Sequence, residues 1–103
     1  MDNKPLRVIS CPLCEIFLNP KENIKTRFYY PDSIDEIPKS EFVILDCSSC
    51  RAPMIVYSEH VMDITNEAWG RILYQFKKIF GKDKRLRTKA RTVRDHWHAH
   101  MIR

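Results

Sequence analysis

Four cysteines stand in two close pairs, each with the spacing Cys-x-x-Cys. Cys11 and Cys14 form the first pair, and Cys47 and Cys50 form the second. Two thiolates separated by two residues can reach one zinc ion at about 2.3 Å, as in a zinc knuckle. The doubled spacing therefore predicts a Zn²⁺ site, and all four cysteines are the ligand set that it favours.

The compartment of the protein decides between metal binding and disulfide bonds. The first ten residues contain no apolar run typical of a signal peptide, and no later stretch approaches the roughly 20 apolar residues that cross a bilayer. We therefore expect a cytoplasmic protein that does not associate with membranes. In a reducing compartment, paired cysteines favour a bound metal over a disulfide.

Three histidines alternate with apolar residues near the C-terminus, at His96, His98 and His100. Because successive side chains of a strand point to opposite faces, the three imidazoles are expected on one face. Trp97 and Met101 are then expected on the opposite face, against a helix. Imidazole can act as a nucleophile, a general acid, a phosphate donor or a metal ligand near neutral pH. The row therefore indicates an enzyme active site or a metal site.

The positive charge of the chain is concentrated in its second half. The net charge is +5, and seven cations and one acid lie between residues 82 and 94. Such a field favours phosphate-bearing partners, either nucleotides or nucleic acid, although alternating cations also keep a strand edge soluble. With only two glycines, the chain lacks a glycine-rich phosphate loop. The cations assigned to phosphate binding are Arg85, Arg87, Lys89, Arg91 and Arg94.

The clearest predicted element is a long helix in the second half of the chain. Asp63 or Thr65 can cap its N-terminus, apolar residues recur on one face up to Phe80, and Gly81 can end it. A chain of 103 residues has room for one modest core. We therefore expect a single zinc-containing domain over residues 1–103.

Shorter elements surround this helix. A helical turn is expected before Asn19-Pro20, and a loop is expected over residues 31–40 because it contains two prolines and several acids. Together these elements predict an α+β domain with an antiparallel sheet and one long helix, stabilised by zinc. The five strands are expected at residues 24–30, 42–45 and 54–57, and in two segments between residues 85 and 102 that join near Arg94-Asp95.

The C-terminal segment His96-Trp97-His98-Ala99-His100-Met101-Ile102 resembles the motif of the histidine-triad family, His-φ-His-φ-His-φ-φ, in which φ is apolar. The resemblance extends upstream over nearly the whole chain. Cys11-Pro12-Leu13-Cys14 is similar to the N-terminal Cys-x-x-Cys of many of these proteins. His60 is similar to the histidine that follows their third strand and precedes the long helix.

The resemblance implies a nucleotide-binding fold with a covalent mechanism. His98 would attack an α-phosphorus and form a nucleotidyl-histidine intermediate, which water or a second phosphate would resolve. His100 would hydrogen-bond the phosphate. The expected function is therefore that of a nucleotidyl hydrolase or transferase, with a nucleotide as partner and a homodimer as an assembly that relatives often form.

The resemblance also implies a second ligand set for the metal. In zinc-containing relatives, including the galactose-1-phosphate uridylyltransferase branch, the corresponding ligands would be Cys11, Cys14, His60 and His96. This set shares the first cysteine pair with the four-thiolate set. One ion cannot use the remaining ligands of both sets, because the third strand separates the second cysteine pair from His60.

Three features separate this chain from the family pattern. The segment between the long helix and the triad is short and basic and lacks the family's Asn- and Gly-containing phosphate loop, Arg94-Asp95 stands where family hydrolases carry Gln or Ser, and the second cysteine pair is not a usual family feature. An alternative function is therefore a non-catalytic zinc ribbon that binds nucleic acid through its basic strand. A third is a degenerate triad fold that serves only as a scaffold for partners. The strand residues of the ribbon alternative are Arg85, Arg87, Lys89 and Arg91.

Overall fold

The computed structural model describes residues 11–88 and 96–102. These residues form a small α+β domain in which helices pack on an antiparallel sheet. The helices are α1 (Pro12–Leu18), α2 (Pro20–Asn23), a 3-10 helix (Ile34–Lys39) and α3 (Asn66–Phe80). The strands are β1 (Phe28–Tyr30), β2 (Phe42–Asp46), β3 (Pro53–Tyr57), β4 (Arg85–Arg87) and β5 (His98–Ile102).

The sheet has the strand order β1-β2-β3-β5-β4, and all neighbours are antiparallel. The last strand of the chain therefore lies inside the sheet, between β3 and β4. Met54 of β3 pairs with His100 of β5, and Val56 pairs with His98. The predicted α+β class with an antiparallel sheet and one long helix is confirmed.

Helix α3 covers one face of the sheet. Its N-terminus is capped by Thr65, whose hydroxyl accepts a hydrogen bond from the Ala68 N–H at 3.1 Å. At its C-terminus Gly81 adopts a positive φ of 96°, which glycine tolerates, and donates its N–H to the Lys77 carbonyl. Thr65 rather than Asp63 is thus the cap. Ile72 and Phe76 are buried between the helix and the sheet.

The two faces of the sheet belong to two separate clusters of apolar side chains. The face under α3, here called the helix face, includes Phe42, Ile44 and Ile55. The opposite face, here called the cysteine face, includes alternate residues of the same two central strands and packs against α1 and the 3-10 helix. Residues directly opposite each other in an antiparallel pair share a face. His98 and His100 therefore lie on the cysteine face, with Val56 and Met54 respectively.

Some predicted boundaries differ from the structure. The chain turns out of α1 at Asn19-Pro20 as predicted, but a further short helix begins at Pro20, since proline is favoured at the first helical position. Strand β1 covers only the end of the predicted segment 24–30, and the predicted loop 31–40 contains the 3-10 helix. The predicted strand connection near Arg94-Asp95 lies outside the described residues.

Within residues 11–88 and 96–102, no helix has both the length and the apolar composition that crossing a bilayer requires.

Candidate functional site

Two thiols and two imidazoles converge beside the N-terminus of α1. Cys11 is the residue just before this helix, Cys14 lies in its first turn, His60 follows β3, and His96 precedes β5. One ligand atom from each of the four lies within 4.8 Å of the corresponding atoms of the others. Cys11, Cys14 and His96 are buried, and His60 is half-buried. We call this group the buried cluster.

Local backbone structure explains why these residues meet. Pro12 occupies the first position of α1, where its missing N–H leaves no helical hydrogen bond unmade, so the helix begins directly after Cys11. The two histidine segments are joined by backbone hydrogen bonds on both sides of Trp97. The Trp97 N–H donates to the Val61 carbonyl at 2.6 Å, and the Tyr57 N–H donates to the Trp97 carbonyl at 3.2 Å.

The distances in the buried cluster suit a tetrahedral ion. The His96 Nδ1 atom lies 3.5 Å from the Cys11 sulfur and 3.3 Å from the Cys14 sulfur. The His60 Nδ1 atom lies 3.4 Å from the Cys14 sulfur. Sulfur and nitrogen ligands at about 2.3 Å and about 2.0 Å from a tetrahedral zinc are about 3.5 Å apart. These three pairs of donor atoms therefore have the spacing of ligands around a tetrahedral zinc ion.

The hydrogen bonding of His96 selects the tautomer of a metal ligand. Its Nε2 atom lies 2.6 Å from the backbone carbonyl oxygen of Tyr57. A carbonyl oxygen only accepts, so Nε2 carries the proton and Nδ1 presents its lone pair to the two sulfurs. A backbone partner of this kind commonly fixes the orientation of a metal-binding imidazole.

The hydrogen bonding of His98 selects the tautomer in which Nε2 carries no proton. The Nδ1 atom of His98 lies 2.9 Å from the backbone carbonyl oxygen of His96 and must therefore donate its proton to it. In the neutral ring, Nε2 is then unprotonated and carries the lone pair. His98 is only 7% exposed, so the orientation of this ring is held by packing as well as by the hydrogen bond.

A second group of potential ligands lies at the other end of β3. Cys47 and Cys50 lie in the turn between β2 and β3, and one ligand atom of each lies within 4.8 Å of the other and of a His100 nitrogen. Cys50 is exposed, and the other two are half-buried. We call this group the open cluster. Its imidazole lies beside that of His98, with ring centroids 5.6 Å apart.

The environment of the open cluster favours the protonation states that bind a metal. Burial raises the pKa of Cys47, but hydrogen bonds from Ser49 and Cys50 to its sulfur outweigh burial and leave the pKa below its ordinary value. Burial, together with the charges of His98 and Arg87, lowers the pKa of His100. These directions favour a thiolate and a neutral imidazole, the forms that bind metals.

The structure places the two cysteine pairs in different clusters. The four-thiolate set that the doubled spacing favoured is therefore not brought together, whereas the alternative set with His60 and His96 is. The reason is topological, because the five residues of β3 separate the turn of Cys47 and Cys50 from the loop of His60. The grouping of His100 with the second pair was not predicted, although antiparallel pairing of β3 with β5 would have indicated it.

The histidine row is divided between the two clusters. His98 and His100 share the cysteine face as predicted, but His96 precedes the strand and belongs to the buried cluster. Trp97 is half-buried rather than buried, and its ring meets that of Trp69 on α3 edge to face at 5.5 Å. The predicted contact between Trp97 and the long helix is thus present.

Two of the predicted phosphate-binding cations, Arg85 and Arg87, lie within the part of the chain that the structure describes. Arg87 lies on β4 and pairs with His100 across the sheet, and Arg85 is exposed at the start of the same strand. Lys89, Arg91 and Arg94 lie outside the described residues. A surface pocket of about 380 Å³ lies beside the open cluster, lined by Cys50, Ala52, Arg87, His100, Met101 and Ile102.

Comparison of the chain with protein families, with curated proteins and with solved structures found no match. The two clusters and His98 beside them are therefore the features of the molecule that indicate a function.

Proposed function

We propose that the protein is a nucleotidyl hydrolase or transferase of the histidine-triad type, built around a structural zinc ion. The observation that carries the proposal is the 2.9 Å hydrogen bond from His98 Nδ1 to the His96 carbonyl oxygen, which leaves the Nε2 lone pair for attack. A buried, oriented imidazole with a defined tautomer is what covalent catalysis at phosphorus requires.

The buried cluster would hold the zinc. Cys11, Cys14, His60 and His96 supply four ligands, and a site with four protein ligands is the closed, structural type. When bound, the ion would add folding stability and fix the position of His96. Because the carbonyl of His96 orients the nucleophile, this site also supports catalysis indirectly.

The proposed reaction has two steps. In the first, the Nε2 lone pair of His98 forms a bond to the α-phosphorus, and the leaving oxygen departs with the electron pair of the broken P–O bond. In the second, water or a phosphate oxygen attacks the same phosphorus, and Nε2 recovers its electron pair as the N–P bond breaks. An attacking water releases one proton to the solvent. The imidazole keeps its Nδ1 proton throughout. The His96 carbonyl accepts that proton's hydrogen bond and stabilises the positive charge on the nucleotidylated ring.

Two further residues, His100 and Arg87, would bind the phosphate. The ring centroids of His98 and His100 are 5.6 Å apart, so both imidazoles could contact one phosphate group. Arg87 pairs with His100 on the neighbouring strand and adds a guanidinium, which is suited to paired phosphate oxygens.

Covalent labelling tests this function. The protein would be incubated with a dinucleoside polyphosphate or a nucleoside phosphoramidate labelled on the α-phosphorus, then quenched and analysed by mass spectrometry. We expect an acid-labile nucleotidyl adduct on His98 and none in His98→Asn, with turnover reduced at least about a thousandfold. Zinc content serves as the folding control. Equal labelling of His98→Asn, or no label with any nucleotide together with salt-sensitive RNA binding, would favour the nucleic-acid alternative.

A further inference from the structure

We propose that the open cluster is a second metal site, in which Cys47, Cys50 and His100 bind a zinc ion and leave one coordination position for a phosphate oxygen. The inference does not rest on the proposed nucleotidyl transfer, since these three ligands would bind a metal whether or not His98 is a nucleophile. It does reassign His100 from a direct phosphate contact to a metal ligand.

The turn between β2 and β3 has the form of a metal-binding knuckle. The Arg51 N–H donates to the Cys47 carbonyl at 3.0 Å, and the Cys47 N–H donates to the Ala52 carbonyl at 2.8 Å. The turn closes through Arg51 at a positive φ of 65°, a conformation that residues other than glycine seldom adopt. This backbone conformation keeps the two sulfurs within 4.8 Å of each other.

The third ligand is delivered by the sheet. His100 lies within β5, which is paired on one side with Met54 of β3 and on the other with Arg87 of β4. Because β3 begins just after the turn of Cys47 and Cys50, the pairing of Met54 with His100 brings the imidazole to that turn. A ligand on a strand held from both sides is more accurately positioned than one on a loop.

The ligand set indicates both the metal and the open position. Two thiolates and one imidazole match zinc, and three protein ligands with a fourth position open are typical of sites that bind an exogenous ligand. In the part of the chain that the structure describes, no fourth thiol, imidazole or carboxylate joins this group. The exposure of Cys50 keeps the site accessible from solvent.

The surroundings of the open position indicate an anion. The adjoining pocket of about 380 Å³ is lined by two of the ligands, Cys50 and His100, and by Arg87. A metal ion and a guanidinium on the same pocket attract an oxyanion and can bind different oxygens of one phosphate. His98 lies beside His100 on the same face of the sheet, with ring centroids 5.6 Å apart.

Metal counting tests the site. The full chain would be purified under reducing conditions without chelator, and bound zinc would be measured by native mass spectrometry and by elemental analysis. We expect two zinc ions per chain in the wild type and one in each of Cys47→Ser, Cys50→Ser and His100→Ala. Because these residues are exposed or half-buried, the variants should keep the first ion, and its retention reports that they fold.

A phosphate titration tests the open position. Cobalt would replace the more accessible ion, and inorganic phosphate would be added while the cobalt absorption is recorded. We expect a spectral change that saturates with phosphate, that is absent in Cys47→Ser, and that needs about tenfold more phosphate in Arg87→Gln. Arg87→Gln should still bind two metal ions, so it separates anion binding from metal binding.

Three results would overturn the proposal. The first is one zinc ion in the wild type, unchanged in Cys47→Ser and Cys50→Ser. The second is a mass two hydrogens below that expected, which would show a disulfide in place of a metal. The third is loss of all zinc in Cys50→Ser, which would show one four-thiolate site. None of these measurements depends on labelling of His98, so failure here and failure of the proposed enzyme are distinguishable.

Discussion

The two Cys-x-x-Cys pairs have the same spacing but lie in contrasting surroundings. The first pair opens a helix, is buried, and meets two histidines; the second lies in a turn, is more exposed, and meets one. The buried cluster therefore has the composition of a closed structural site, and the open cluster that of a site with a free coordination position. Spacing therefore predicts that a cysteine pair binds a metal, whereas the topology of the sheet determines which other ligands join it.

The largest expected difference between the clusters is in stability. Cys14 is fully buried, and Cys14→Ser would remove a ligand from the buried cluster. Zinc binding contributes about 10 kcal/mol or more in small zinc domains, comparable with the total stability of a domain. We expect Cys14→Ser to be largely unfolded by circular dichroism, whereas the matched variant Cys50→Ser unfolds cooperatively in urea. Similar urea midpoints for the two variants would remove the distinction between the clusters.

An intermediate effect is expected from Trp97, which connects the buried cluster to α3. Its backbone joins the His60 and His96 segments, and its ring contacts Trp69 at 5.5 Å. Trp97→Ala should lower the free energy of unfolding by about 2 to 3 kcal/mol, less than for a fully buried ring. A double-mutant cycle with Trp69→Ala should show a coupling of about 1 kcal/mol. Zinc should leave the buried cluster faster in this variant, with no change at the open cluster.

If the losses of stability in Trp97→Ala and Trp69→Ala simply added in the double variant, the two indole rings would not stabilise each other. Faster zinc loss from the open cluster in Trp97→Ala would show that the two clusters are not independent. Both quantities are accessible by urea titration and by chelator-release kinetics on the same samples.

The smallest effect is expected at the ion pair between Glu41 and Arg71, which belong to neither cluster. The guanidinium donates to the carboxylate at 2.6 and 2.7 Å, and this hydrogen bonding lowers the pKa of Glu41 despite partial burial. A lowered carboxyl pKa gives stability that is present above the unfolded value, near 4.5, and is lost as pH falls through the folded value. Because the Arg71 side chain is exposed, solvent screens the pair, and Arg71→Gln should lower the stability at pH 7 only slightly.

Arg71→Gln distinguishes acid sensitivity caused by protonation of Glu41 from acid sensitivity caused by other groups. Arg71→Gln should have less acid-dependent loss of stability below about pH 4.5, measured by urea unfolding at several pH values, while its zinc content at pH 7 stays that of the wild type. Unchanged acid dependence would assign the loss of stability to protonation of other groups.

Local signals made α3 predictable from the sequence, whereas long-range pairing decided the candidate site. The cap at Thr65, the apolar face and the glycine at residue 81 are each encoded within a few residues, and α3 begins and ends where they indicate. The ligand groups depend instead on the pairing of β3 with β5, which joins residues at least 42 positions apart in the chain. Spacing alone therefore favoured one four-cysteine site. The tautomers of His96 and His98 also depend on backbone carbonyls that no sequence pattern specifies.

X-ray absorption at the zinc edge of the double variant Cys47→Ser/Cys50→Ser tests most directly that the two cysteine pairs serve different sites. This protein should retain one zinc ion, surrounded by two sulfurs at about 2.3 Å and two nitrogens at about 2.0 Å, from Cys11, Cys14, His60 and His96. A double variant without zinc, together with four sulfur ligands around the ion of the wild type, would contradict the account.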